Sequence, residues 1–191
     1  MTHSISNAIA KWLSRHGAIQ TDELALYSYA VFNILHTFIP FVIVVFIGFL
    51  CDLPLECIMM LLPFLLLRKY CGGFHAKTPF KCLILTVIIQ TLFMLIGYSF
   101  ASPCVFMLLL LTSATTICIL SPVNPEKRKL NENDIKRCKK RAVQLTCSLT
   151  IICLLLLMLR YEYYSFFIGT GMIMVAFTQY PCILAKASKA K

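Results

Sequence analysis

Acidic residues are scarce: 191 residues carry 8 Asp and Glu against 18 Lys and Arg, and charged residues make up only 14%. A soluble globular domain is nearer a quarter charged and half apolar. A chain that is 59% apolar, with a mean hydropathy of +0.80, cannot clothe a water-facing surface, and it is too apolar to stay disordered. Despite the net charge of +10, a basic face interleaved with aromatic residues is missing, which removes nucleic acid as a partner. Most of the ten cysteines stand inside apolar runs (Cys57, Cys104, Cys118, Cys153, Cys182), where they act as small hydrophobes rather than as a disulfide framework. Lys11 and Arg15 are not followed by a short apolar core with a small-residue cleavage site, so no cleaved leader is expected. There is no internal repeat, and no low-complexity stretch beyond one basic segment.

What is present is a series of apolar blocks. Residues 1–28 read as an amphipathic helix and a polar connection, with Ile5, Ile9, Trp12 and Leu13 at helical spacing opposite Asn7, Lys11 and Arg15. Such a segment lies in the membrane interface or packs on the protein's own membrane face. Six blocks follow at 29–50, 53–67, 82–100, 103–120, 143–159 and 163–184. Crossing the hydrocarbon core takes about 20 helical residues. The predicted fold is therefore all-α and polytopic, a single domain with a six-span bundle over 29–184 and a basic tail at 185–191. The second block, with Pro54 and Pro63, is short. It must recruit its polar flank, thin the bilayer, or end below the surface.

Positive charge orients the bundle. With both termini cytoplasmic, 17 of the 18 Lys and Arg fall inside and only Arg160 falls outside, as membrane topology requires. The basic excess also suits anionic lipid. External links are a few residues long, around Cys51–Asp52, Ala101–Ser102 and Arg160–Tyr163. Polar material gathers in the 68–81 segment and in the basic 121–142 loop, so chemistry is expected there.

Residues 68–82 read Arg-Lys-Tyr-Cys-Gly-Gly-Phe-His-Ala-Lys-Thr-Pro-Phe-Lys-Cys. Gly72 and Gly73 allow backbone angles closed to other residues and break the second helix. Pro79 suits the first turn of the next one. His75 then lies on a short turn, and Cys82 falls in the first turns of the third span. A thiolate is a nucleophile, and an imidazole beside it takes the proton and returns it to a leaving amine. The positive end of the third helix favours the thiolate, and Arg68 suits a carboxylate or a developing oxyanion. Other readings stay open: a loop histidine beside a packed cysteine, or Cys71 as the reactive thiol. Cys71, His75 and Cys82 lack a fourth ligand and a compact pair spacing, so no metal and no cofactor are expected. His3, His16 and His36 have no chemical company.

The arrangement Arg-x4-Gly-x-His-Ala-x5-Cys, here Arg68, Gly73, His75, Ala76 and Cys82, resembles the signature of the AgrB family. These accessory gene regulator membrane peptidases of Gram-positive bacteria process the precursors of cyclic quorum-sensing peptides. Chain length, six spans, the cytoplasmic motif and the basic loop after the fourth span match as well. The resemblance implies that Cys82 is the nucleophile and His75 its general base. It also implies that the basic cluster Lys127, Arg128 and Lys129 is functionally important. The implied substrate is an AgrD-like propeptide with an amphipathic leader, an internal cysteine or serine and an acidic C-terminal tail. The implied product is a cyclic thiolactone or lactone, and the implied assembly is a homodimer in the cell membrane. No Gly-x3-Gly face designates a dimer contact, although Gly169 and Gly171 permit close packing. The rivals are a small transporter or a scaffold with an incidental Cys–His pair. Against a transporter, no span carries an acidic residue near its middle.

Overall fold

Proline and glycine set the ends of the helices in the computed structural model, which describes residues 2–73, 79–98, 102–123 and 131–189. Every regular element among them is helical: α1 (Thr2–Arg15), a 3-10 turn (Thr21–Glu23), α2 (Leu24–Leu50), α3 (Pro54–Cys71), α4 (Pro79–Tyr98), α5 (Pro103–Leu120), α6 (Glu132–Met158) and α7 (Glu162–Lys189). Pro54, Pro79 and Pro103 each open a helix, where the missing N–H costs nothing.

Three helix ends share one cap. After α2, Leu53 N–H bonds Gly48 C=O at 2.7 Å and Asp52 N–H bonds Phe49 C=O. After α6, Tyr161 N–H bonds Leu156 C=O at 2.8 Å and Arg160 N–H bonds Leu157 C=O. After α1, Ala18 and Gly17 repeat the pattern with Leu13 and Ser14. This is the Schellman motif, which needs a left-handed residue at its second-last position. Gly17 provides it easily (φ 69°), whereas Asp52 (φ 59°) and Arg160 (φ 65°) adopt it with a side chain. The caps explain how α2–α3 and α6–α7 are joined by so few residues.

Among the described residues three helices are long and apolar enough to cross a membrane: α5, α6 and the Glu162–Leu184 part of α7. Shorter apolar stretches occupy Phe38–Leu50 and Phe80–Leu95. Large apolar side chains stand exposed on the outer faces, including Phe46 and Phe49 on α2, Leu108 and Ile119 on α5, and Ile151 and Leu155 on α6. That surface suits lipid and not water. Tyr161, Tyr163 and Tyr164 cluster where α6 turns into α7, and the Tyr163 hydroxyl donates to Glu56 Oε1 at 2.8 Å. Such a group of rings matches an interfacial aromatic belt.

The helix α7 packs against α3, α4, α5 and α6 and forms the centre of the bundle. Lipid gives little hydrophobic drive between helices, so small residues and close contact must hold them. A side chain at Gly169 would collide with the Phe106 ring of α5, and one at Gly171 with the Met60 carbonyl of α3. The two glycines thus serve contacts within the chain. Phe106 packs edge-on to Phe166 at 4.7 Å between centroids, and Met60, Phe106 and Met172 are fully buried.

Two expected boundaries shift. The helix that holds the second apolar block extends through Arg68, Lys69, Tyr70 and Cys71 and reaches 18 residues, about 27 Å. Much of the segment expected as a 121–142 loop is helix, because α6 begins at Glu132. Lys and Arg propagate a helix well, and Glu132 and Asp134 sit in its first turn, where negative charge meets the positive end of the dipole. The N-terminal helix packs on the protein itself. Ser6 and Ala10 are fully buried on it, and α1 packs on α2, with the Ser28 hydroxyl donating to the Asn7 side-chain oxygen. Ile5, Ile9 and Trp12 stay exposed.

Candidate active site

The Gly72-Gly73 pair ends α3 as expected, and both glycines are required. Gly72 has φ 74° and Gly73 φ 147°, conformations that L side chains rarely adopt. Space forbids side chains too. A Cβ on Gly72 would come within 2.7 Å of the Val123 carbonyl, and one on Gly73 would overlap Nη1 of Arg68. Val123 N–H donates to the Cys71 carbonyl at 2.8 Å, tying the end of α3 to the segment that follows α5.

Arg68 lies one turn before the glycines. Its Nη1 donates to the Thr178 hydroxyl at 2.8 Å, which itself donates to the Val175 carbonyl. The guanidinium carbon lies 5.9 Å from the Phe64 ring centroid, within the range of a cation–π contact. The cation is therefore held by α3 from behind and α7 from the side, and Gly73 leaves the room it needs.

Cys82 is the fourth residue of α4 and is nearly buried, 9% exposed. It opens on a cavity of about 240 Å³ between α3, α4 and α7. Arg68, Thr86, Gln90 and Thr178 supply the other polar lining, and Phe64, Leu85, Ile89, Met174, Phe177 and Pro181 the apolar walls. The Thr86 hydroxyl donates to the Cys82 carbonyl at 2.7 Å. The structure thus brings Cys82 and Arg68 to one cavity. Cys71, the rival thiol, is fully buried in the apolar core and is not among the residues lining it.

His75, Lys127, Arg128 and Lys129 lie outside the described residues, as do the side chains of His3 and His36. His16 donates from its ring to the Trp12 carbonyl at 2.8 Å, far from this chemistry in the chain.

Sequence reasoning missed Thr178, Thr86 and Gln90. Thr178 is unremarkable until α7 folds against α3. Thr86 and Gln90 did leave a signal: they follow Cys82 by four and eight residues, one stripe of a helix, in an otherwise apolar span.

A family model for accessory gene regulator B matches residues 6–179. The accessory gene regulator protein B of Staphylococcus saprophyticus is 25% identical over 178 residues, covering 93% of this chain and 92% of that protein. The protein of the same name from Staphylococcus aureus strain Newman is 28% identical over 141 residues, 73% of this chain and 72% of the relative. No solved structure matches the chain.

Proposed function

The chain belongs to the accessory gene regulator B family, and we propose that it is a membrane cysteine endopeptidase that cuts and cyclises a quorum-sensing propeptide. Its substrate is an AgrD-type peptide with an acidic C-terminal tail. The observation that carries the reading is the shared cavity: a thiol at the start of α4 and a fixed guanidinium from α3 line the same apolar space.

The steps balance without a cofactor. His75 takes the Cys82 thiol proton, and the thiolate attacks the carbonyl carbon at the junction before the tail. Arg68 stabilises the oxyanion that forms. The C–N bond breaks, the proton on His75 passes to the leaving amine, and the acidic tail departs. The remaining peptide is held on Cys82 as a thioester. A thiol or hydroxyl within that peptide then loses its proton to His75 and attacks the same carbonyl. The Cys82–acyl bond breaks, the thiol is reprotonated, and a cyclic thiolactone or lactone leaves.

Exchange of one thioester for another is nearly balanced in energy, whereas attack by water is downhill and wasteful. The site must therefore limit water during the acyl stage, and apolar walls around Cys82 suit that need. In this reading α2–α7 are six spans with both termini cytoplasmic, and the basic cluster Lys127, Arg128 and Lys129 receives the acidic tail. Anionic lipid attracts the remaining cytoplasmic charge. The dimer implied by the family needs a face other than Gly169 and Gly171, which are occupied within the chain.

The test uses the full chain in lipid vesicles with an acidic-tailed synthetic propeptide and mass spectrometry. Cys82→Ser and His75→Ala should each abolish cleavage with protein levels unchanged. Cys71→Ser should keep the rate within about twofold, as expected of a conservative change away from the reacting atoms. Loss with Cys71→Ser and retention with Cys82→Ser would reverse the choice of thiol.

A further inference from the structure

Gln90 presents an unexplained acceptor. Its side chain is 3% exposed, it lines the Cys82 cavity, and its Oε1 has no hydrogen-bond partner among the described residues. Buried polar atoms are almost always paired, because an orphaned acceptor forfeits its hydration with nothing in return. A donor from outside the chain would satisfy it.

The cavity narrows the identity of that donor. Its volume of about 240 Å³ is several times the roughly 30 Å³ share of one water molecule, so there is room for a group of side-chain size. Apart from Arg68 and the few polar groups, the walls are apolar, with Leu85, Ile89, Met174 and Phe177 among them. A lipid tail fits such walls but has no hydrogen to donate. A peptide does both: its side chains are apolar where its sequence makes them so, and each non-proline unit carries an N–H.

We infer that this cavity is the acyl-side subsite of the peptidase, taking an apolar stretch of the propeptide whose backbone N–H is received by Gln90 Oε1. The inference rests on the proposed reading, and it adds which side of the scissile bond enters the cavity and which residue reads it. The acidic tail is the poorer occupant: Arg68 is the one charged group among the described residues lining the cavity, the proposed steps give it to the oxyanion, and further carboxylates among the apolar walls would lose their solvation. The segment before the cut remains. Cys82 and Gln90 are eight residues apart on α4, about 12 Å along the axis. An extended peptide covers that in about four residues, so the N–H belongs to one of the four residues preceding the cleaved bond.

The experiment is an ester scan. Propeptides carrying one ester bond in place of the amide at each of the four positions are supplied to the vesicle-embedded full chain. Each ester removes one N–H and keeps the shape. Initial rates should fall at a single position, by about three- to tenfold for one lost hydrogen bond. Gln90→Met should lower the rate with the all-amide substrate by a similar factor and should erase the difference among the esters. Replacing the apolar residues of that stretch by Asp should block processing. Equal rates for all four esters in the unmodified chain would overturn the inference, whether or not Gln90→Met accumulates. So would an ester effect that persists in Gln90→Met, which would assign the contact to another group or leave the Gln90 oxygen to a bound water. Failure of the underlying peptidase reading looks different: Cys82→Ser would then still convert the all-amide propeptide.

Discussion

Arg68 and Thr178, 110 residues apart in the chain, are joined by a hydrogen bond of 2.8 Å from the guanidinium to the hydroxyl. That bond makes the position of the cation that shares a cavity with Cys82 depend on the central helix α7 as well as on its own helix. The next substitution tests this dependence.

Thr178→Val keeps the shape and removes the acceptor. Because hydrogen bonds to charged groups are stronger than neutral ones, processing should slow by about tenfold, chiefly in the rate of acylation. Thr178→Ser should restore it. Stopped assays of tail release in vesicles give the comparison, and equal rates for Val and Ser would mean the bond does not orient Arg68.

Gly73→Ala introduces a Cβ into the space of the Arg68 guanidinium at a backbone angle of φ 147°. Both effects destabilise, together by about 1–3 kcal/mol, and processing should be lost. In an Arg68→Ala background the collision disappears and the backbone strain remains, so the same substitution should lower the melting temperature less. Thermal unfolding in detergent of the four chains closes this cycle. An identical cost in both backgrounds would show that the collision is not what excludes a side chain.

Arg160 adopts φ 65° in the cap after α6, a position that suits glycine. Arg160→Gly should raise stability by roughly 0.5–1 kcal/mol. The gain for Asp52→Gly should be smaller, since aspartate tolerates the left-handed region better. Melting temperatures of the two variants decide the order.

Reversal of Lys127, Arg128 and Lys129 to glutamate should reduce tail release by about tenfold or more, through repulsion of an acidic substrate segment, while membrane insertion stays intact. Protease protection of the loops reports insertion, and mass spectrometry reports release. A parallel fall in both would leave the cluster with topology alone.

The local part of the site was legible in the amino-acid order. Two adjacent glycines, then Pro79 seven residues after Gly72, force a helix to stop and restart, and Cys82 falls on the first turn of the new one by counting. Those are short-range rules of backbone geometry, and they survive any tertiary context. Hydropathy was a poorer guide to helix ends. The apolar block starts at 143, yet α6 starts at Glu132 because lysine and arginine are good helix formers. On α1 the apolar stripe was visible, but Ser6 and Ala10 are the fully buried positions of a helix that packs on α2, since small residues allow close approach. Thr178 acquires meaning only when α7 meets α3, and spacing along one helix cannot reveal that meeting, whereas the stripe that Gln90 shares with Cys82 on α4 can be counted.

The bond from Val123 N–H to the Cys71 carbonyl couples the end of α3 to the segment that follows α5, two places that hydropathy treats as separate. In the sequence the lysine–arginine triplet begins four residues after Val123, and His75 lies four residues after Cys71. A displacement of the backbone at Val123 is therefore felt at the last turn of α3, where Arg68 stands.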